Sequence, residues 1–128
     1  MTTNITRACA TIAAGFIGIA SAATNSIVEI AWSTGSRFSH QSTIAVGKFV
    51  EVCGKLAPRD TVHWNYTTTA SVDFNIHYHV GKEVVFPIKQ SQVSSGSDTL
   101  SVAVAHDYCW MWTNKSAAPV GLVVELTR

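Results

Sequence analysis

Three histidines are spaced so that they could bind a transition metal. His77 and His79 lie two residues apart in a run of alternating polar and apolar residues, so both would face one side of a β-strand. His63 lies in a similar run just before, and a tight turn near Ala70 would place His63 opposite His77. Neutral imidazole is the most common protein ligand of zinc and copper. The spacing therefore predicts a copper or zinc site, with copper favoured, formed by His63, His77 and His79.

Further residues could complete this site. The additional candidate ligands are His40, His106, Asp73, Glu83 and Met111. Asp73 shares the histidine face and could bind the metal or orient a ligand, whereas Met111 offers a thioether that suits Cu(I). The alternative interpretation is that the histidines only mark the solvent-exposed face of a strand. A register shift of one residue would put His63 and His77 on different faces.

Catalytic chemistry has little support. The sequence contains no Gly-x-Ser-x-Gly nucleophile motif and no glycine-rich phosphate-binding loop. Its few acidic residues do not indicate a carboxylate pair of the kind that glycosidases use. We therefore predict no catalytic residues and expect a binding protein rather than an enzyme.

The elements expected to position the histidines are β-strands. No stretch has helical periodicity, and short runs rich in Val, Ile, Thr and aromatic residues recur between turn signals. The expected strands are Ser26–Trp32, Thr43–Val46, Phe49–Leu56, Thr61–Thr68, Val72–Val80, Glu83–Lys89, Thr99–Ala105, Tyr108–Thr113 and Val120–Leu126. The Ser-rich segment Gln90–Asp98 is expected to be a mobile loop. This pattern predicts one all-β domain over residues 23–128, an antiparallel sandwich of about eight strands.

Composition agrees with a folded domain. Hydrophobic residues make up 47% of the 128 residues and charged residues 13%, which excludes intrinsic disorder. A net charge of +1 gives no support for binding to nucleic acid. Alternation within the expected strands predicts the buried side chains, which are Trp64, Tyr66, Phe74, Ile76, Tyr78, Trp110 and Trp112.

Residues 1–22 have the pattern of a secretory signal peptide. Arg7 precedes an apolar run over residues 8–22, which closes with the small residues Ala-Ser-Ala. A membrane anchor is the alternative, but about 15 apolar residues are fewer than the roughly 20 that span a bilayer. We predict cleavage near Ala22 and a secreted or periplasmic product without a stable membrane span.

The cysteine count is consistent with export. Of three cysteines, Cys9 lies in the predicted signal peptide, which leaves Cys53 and Cys109. An even number in an oxidising compartment predicts one disulfide. Two buried thiols or a metal thiolate are the alternatives.

The segment from Val62 to Ile76 resembles the GOLD domains of the p24 cargo receptors and of some lipid-transfer proteins. Its matching residues are Trp64, Tyr66, Asp73, Phe74 and Ile76, and Tyr108 with Asn114 is similar to the closing strand of that family. The resemblance implies a β-sandwich with a binding role, in which Cys53 and Cys109 join an early strand to a late one. The second cysteine follows the tyrosine by one residue rather than three, and the membrane anchor and coat-binding tail of p24 proteins are not expected here.

A second resemblance is to cupins. His77, His79 and Glu83 are similar to the first cupin metal motif, His-x-His-x3-Glu, although the flanking glycines are replaced by Ser71 and Gln90. This resemblance implies a metalloenzyme whose histidines face into a barrel.

Three function classes follow from these observations. The first is an exported protein that binds copper or zinc through the histidines. The second is a non-metal interaction module that binds a protein partner of the cell envelope. The third is a cupin-type metalloenzyme in which Glu83 is an added ligand.

Overall fold

Alternating apolar and polar residues form seven β-strands and no helix within the described part of the chain. The computed structural model describes Gly15 and residues 23–128. The strands are β1 (Ser26–Glu29), β2 (Arg37–Ile44), β3 (Phe49–Leu56), β4 (Thr61–Val80), β5 (Glu83–Ser101), β6 (His106–Thr113) and β7 (Val120–Thr127). The predicted all-β class is confirmed.

The seven strands form one mixed sheet. Its strand order is β1-β3-β6-β4-β7-β2, and β5 pairs with β4 beside this path. The pairs along this sheet are antiparallel except β1 with β3, which is parallel. The parallel β1 is a departure from the purely antiparallel sheet expected from the sequence.

Strand β4 belongs to both halves of this sheet. Its first part, His63–Thr68, pairs with β7, and its later part, Asp73–His77, pairs with β6. The rings of Tyr66 and Phe74 have centroids 4.5 Å apart. A straight strand would separate residues eight positions apart by about 26 Å. Strand β4 therefore bends back over the core, and the sheet curls into two layers.

The bend is produced by an irregularity in the pairing of β4 with β5. Thr67 pairs with Ser95 and Val72 pairs with Val93, so four residues of β4 stand opposite one residue of β5. The Thr68 hydroxyl lies 2.7 Å from the carbonyl oxygen of Ala70 and 3.1 Å from that of Ser94. Extra residues on one strand increase its local bend and twist.

The prediction of a tight turn near Ala70 is therefore wrong, because the chain bends there within one strand. Thr61–Thr68 and Val72–Val80 are parts of one strand, β4, because pairing with β5 continues on both sides of the bend. Gln90–Asp98, expected to be a mobile loop, is strand for the same reason and lies within β5.

The core lies between the two layers. The predicted core residues Trp64, Tyr66, Phe74, Ile76, Trp110 and Trp112 are buried, and Tyr78 is half-buried against the core. The ring of Phe74 stacks on Trp112 at 5.4 Å and lies 5.1 Å from Trp64 of the opposite layer. Because side chains alternate along a strand, the odd-numbered residues of β4 face away from this core.

A disulfide joins the two central strands of one layer. Cys53 of β3 and Cys109 of β6 are directly paired in register, and their Cα atoms are 4.1 Å apart. The disulfide predicted from the sequence is present. Closing a loop of this length contributes on the order of 4 kcal/mol in the chain-entropy model.

The predicted signal peptide, residues 1–22, lies outside the described residues apart from Gly15 and stays a prediction. Within the described residues, no helix has the length and apolar character needed to cross a membrane.

Gly96 of β5 provides a test of the packing at the bend. A Cβ at this position would lie 2.7 Å from the ring of Tyr66, which is buried and cannot move aside freely. We expect Gly96→Ala to lower the free energy of unfolding by about 1–3 kcal/mol, the usual cost of overpacking, in a urea titration.

Gly35→Ala is the matched control, because only Ser33 Oγ lies within 4 Å of its added Cβ, at 3.9 Å. Equal stabilities of the two variants would contradict the tight packing of β5 over Tyr66.

Candidate functional site

The predicted cluster of three histidines is not formed. His63 lies 14 positions before His77 in the same strand and is exposed on the other layer, where its Nδ1 lies 2.8 Å from Thr99 Oγ1. The expected register required a turn near Ala70, and β4 bends there without pairing with itself. His63 and His77 consequently face away from the core on opposite sides of the molecule.

The structure instead places His77 in a regular array on the outer face of β3, β6 and β4. His77 pairs with Cys109, which pairs with Cys53, so these three residues form one row across the strands. Met111 pairs with both Asn75 and Glu51 and forms the next row. Rows two residues apart share one face of a sheet. The first row therefore carries one imidazole and two sulfurs, and the second row carries one thioether and one carboxylate.

A groove of about 520 Å³ lies over this face and is called the outer groove below. Its floor includes Glu51, His77 and Met111, and β5 forms one wall with Phe86 and Lys89. The Lys89 ammonium lies 4.7 Å from the centroid of the Phe86 ring. The outer groove thus combines an aromatic wall with a floor of polar and sulfur groups.

A β-bulge explains how β5 covers His77. Ile76 pairs with Ile88 and Tyr78 with Val85, so His77 stands opposite two residues of β5, Phe86 and Pro87. A bulge of this kind redirects a side chain, and here the Phe86 ring comes within 5.9 Å of the His77 ring. His77 is only 5% exposed although it faces away from the core.

The ring of His77 is held with one nitrogen directed toward Glu51. Its Nδ1 donates to Asn75 Oδ1 at 2.7 Å, so Nε2 keeps a free lone pair. Nε2 lies 3.7 Å from Glu51 Oε1. Two atoms that bind one ion at about 2.0–2.2 Å lie up to about 4.4 Å apart, so this pair can bind the same metal.

Burial changes the proton affinity of both groups. It lowers the pKa of His77, and the neighbouring charge of His79 lowers it further. Burial also raises the pKa of Glu51, an effect that the charge of His79 partly opposes. Both shifts favour the uncharged form, so we do not regard the 3.7 Å contact as a strong ion pair. Neutral imidazole is the form that binds a metal.

His79 lies at the rim of the outer groove. It is exposed, and its ring centroid is 5.3 Å from that of His77. Within the described residues, the one trio of possible ligands with atoms all within 4.8 Å of one another is Glu51, Cys53 and Cys109. Because His79 does not form such a trio with Glu51 and His77, its exposed side chain would have to rotate to bind a metal held by those two residues.

The other predicted ligands are distributed as follows. Asp73 lines the outer groove, but its carboxylate pairs with Lys115 and accepts a hydrogen bond from the backbone of Gln92 at 3.2 Å. The hydrogen bond from Lys115 is the main reason that the pKa of Asp73 is lowered. Asp73 therefore already has a cation as its partner.

Three further candidates do not line the outer groove. His40 lies in β2, where its ring centroid is 6.5 Å from that of Phe38. His106 stacks on Tyr78 with their ring centroids 4.9 Å apart, and neither histidine lines the groove. Glu83 is exposed at the start of β5. The predicted cupin-type set also requires histidines that face inward, whereas His77 and His79 face away from the core.

Sequence reasoning missed Glu51, although a signal was present. Antiparallel pairing of β3 and β6 around a Cys53–Cys109 disulfide places Glu51 opposite Met111. The same alternation that placed Cys53 on the outer face also applies to Glu51, two residues before it.

Comparisons with known proteins identify the fold. No protein-family model matches the sequence, and no curated protein matches it. The solved structure of PliG from Aeromonas hydrophila, a periplasmic inhibitor of g-type lysozyme, matches with a TM-score of 0.54 at 9% identity, over 81% of this chain and 96% of that one.

Two other solved structures have the same overall arrangement. CorA, a surface-associated copper-binding protein important in copper acquisition by Methylomicrobium album BG8, gives a TM-score of 0.55 at 10% identity, over 83% of this chain and 99% of that one. The pre-peptidase C-terminal domain of a Bacillus anthracis collagenase gives a TM-score of 0.53 at 6% identity, over 82% of this chain and 99% of that one. The chain thus has an all-β fold of the β-sandwich type, while membership of the GOLD family stays a prediction.

The lowered pKa of His77 gives a test by pH. We expect the His77 ring to titrate below the ordinary imidazole pKa of about 6.5 in an NMR titration. The free energy of unfolding should fall as the pH falls from about 6.5 through that lower pKa, because the unfolded chain gains its proton at the higher pH.

His77→Gln should remove this part of the pH dependence. The difference between parent and variant then isolates the contribution of His77 from that of Glu51, whose raised pKa acts in the opposite direction. A His77 ring that titrates at or above 6.5 would contradict the buried, neutral imidazole.

Proposed function

We propose that this is an exported protein that binds one copper ion in the outer groove, with His77 and Glu51 as the central ligands. The observation that carries the proposal is the 3.7 Å separation of His77 Nε2 and Glu51 Oε1, a distance at which an imidazole nitrogen and a carboxylate oxygen can bind one ion. Asn75 orients the ring as a hydrogen-bond partner of a metal-binding histidine commonly does. His79 is the third ligand, supplied from the rim.

Copper is favoured over other metals by the set of donors. Imidazole binds both copper and zinc well, but a thioether selects Cu(I), and Met111 is in the row between Asn75 and Glu51. Phe86 lines the groove beside His77, which is only 5% exposed, so this ligand is shielded from solvent. We expect the protein to store or carry the ion, because the residues of the proposed site are all assigned as copper ligands and none as a catalytic group.

Export and copper binding are consistent with what is known of proteins of the same fold. CorA is described as a copper-binding protein at the cell surface, and PliG as a periplasmic protein. At 9–10% identity these likenesses support the fold and not the ligands. The predicted signal peptide over residues 1–22 and the disulfide support an oxidising compartment, secreted or periplasmic.

Copper titration of the oxidised protein tests the proposed ligands. We expect one equivalent of Cu(II) to bind, and the near-isosteric changes His77→Gln and Glu51→Gln each to weaken binding at least about tenfold, since each removes a ligand. Affinity should also fall as the pH drops, because a protonated imidazole has no lone pair for the metal.

His63→Gln is the matched control, since it changes an exposed histidine of the same strand on the other layer. Copper binding that survives both His77→Gln and Glu51→Gln in folded protein would refute the site.

Met111 gives a separate test of the oxidation state. We expect Met111→Leu, which keeps the side-chain volume and removes the sulfur, to weaken Cu(I) binding while leaving Zn(II) affinity unchanged. Competition with a Cu(I)-specific chelator measures the first quantity and calorimetry the second. Equal losses for the two metals would mean that Met111 acts only in packing.

A second candidate function is the binding of a protein partner in the cell envelope. Val84 and Phe86 are each 41% exposed beside the outer groove, and within the described residues β5 pairs only with β4. Apolar side chains on an unpaired sheet edge are typical of surfaces that accept a strand from another protein. This function would rank first if the copper titration failed.

A further inference from the structure

We propose that reduction of the Cys53–Cys109 disulfide creates a second metal site, in which both thiolates and Glu51 bind zinc or a similar divalent ion. His77 is placed to supply the fourth ligand. This inference concerns the reduced chain and does not depend on copper binding by the oxidised one, although the two sites share Glu51 and His77.

The first support is the position of the ligand atoms. Sγ of Cys53, Sγ of Cys109 and a carboxylate oxygen of Glu51 all lie within 4.8 Å of one another. Two thiolate sulfurs bound to one tetrahedral zinc ion at about 2.3 Å lie about 3.7–3.8 Å apart, so after reduction the two cysteine side chains must rotate to move their sulfurs out of bonding distance. His77 completes the set, because it pairs with Cys109 in register and its Nε2 is 3.7 Å from Glu51.

The second support is that the strands hold the cysteines together without the crosslink. Strands β3 and β6 pair along eight residues each, from Phe49 with Thr113 to Leu56 with His106. The Cα atoms of the two cysteines are 4.1 Å apart because of this register. Reduction removes a covalent bond but leaves the backbone ladder, so the thiols stay side by side.

The third support is the oxidised state of the same cluster. A disulfide sulfur carries no negative charge and is a poor metal ligand, so in the oxidised protein Glu51 and His77 remain as donors at this point. Reduction adds two soft anionic donors to the same outer face. The donor set then changes from imidazole and carboxylate to one with two thiolates, which selects zinc or Cu(I).

The redox step balances with a phosphine as the reductant. The S–S bond breaks, phosphorus gives up two electrons and becomes the phosphine oxide, and water supplies its oxygen. The two hydrogens of that water appear on the two thiols. Binding of the divalent ion then displaces both thiol protons into solution.

Cobalt(II) is the probe for this site, because its thiolate complexes absorb light where its oxygen and nitrogen complexes do not. The protein is reduced with a phosphine, separated from it without air, and titrated with Co(II). We expect one equivalent to bind with a thiolate-to-cobalt charge-transfer band, two protons to be released, and Zn(II) to displace the cobalt. The oxidised protein should show no such band.

Two variants separate this site from the copper site. Cys53→Ser combined with Cys109→Ser should lose the charge-transfer band and keep Cu(II) binding, whereas Met111→Leu, in the neighbouring row, should keep the band and weaken Cu(I) binding by the oxidised protein. Circular dichroism of the reduced protein and of the double variant should show the same sheet as the parent. Loss of that sheet on reduction, or a reduced folded protein without the cobalt band, would overturn the proposal.

Discussion

The bend of β4 is the constraint on which the rest of the structure depends. Tyr66 and Phe74 lie on the same strand, yet their rings are 4.5 Å apart, and Trp64 and Trp112 pack against Phe74 at 5.1 and 5.4 Å. Aromatic pairs at these distances stabilise a fold by more than their buried area alone, about 0.5–1.5 kcal/mol each. This cluster holds the two halves of β4 on opposite layers. Strand β7, followed by β2, pairs with the first half, β6, followed by β3 and β1, pairs with the second, and β5 pairs with both.

The site is a consequence of this arrangement. The later half of β4 pairs with β6, which pairs with β3, and the register brings His77, Met111 and Glu51 to one face. The bulge opposite His77 lets β5 cover that face with Phe86, and the resulting burial lowers the pKa of His77. The covalent link between Cys53 and Cys109 lies within the same array, so the redox state of the cysteines and the proposed metal binding involve the same few residues.

Alternation along the strands was sufficient to predict the core and the outer face, because a period of two decides which side of a sheet a residue takes. It did not predict the path of β4. The Thr- and Ser-rich residues around Ala70 suit a hairpin turn or a bend equally well, and only the continued pairing with β5 decides between them. His63 was misplaced for that reason. Glu51, by contrast, follows from the Cys53–Cys109 pairing and could have been predicted.

The position of a bound copper ion distinguishes the outer groove from the exposed histidines elsewhere on the protein. Cu(II) broadens the NMR signals of nearby amides, so the backbone signals of a uniformly labelled, oxidised protein report where it binds. Binding in the outer groove predicts that substoichiometric Cu(II) broadens the signals around Glu51, His77 and Met111 and leaves those around His63 sharp. Broadening centred on His63, or spread evenly over the exposed histidines, would contradict it.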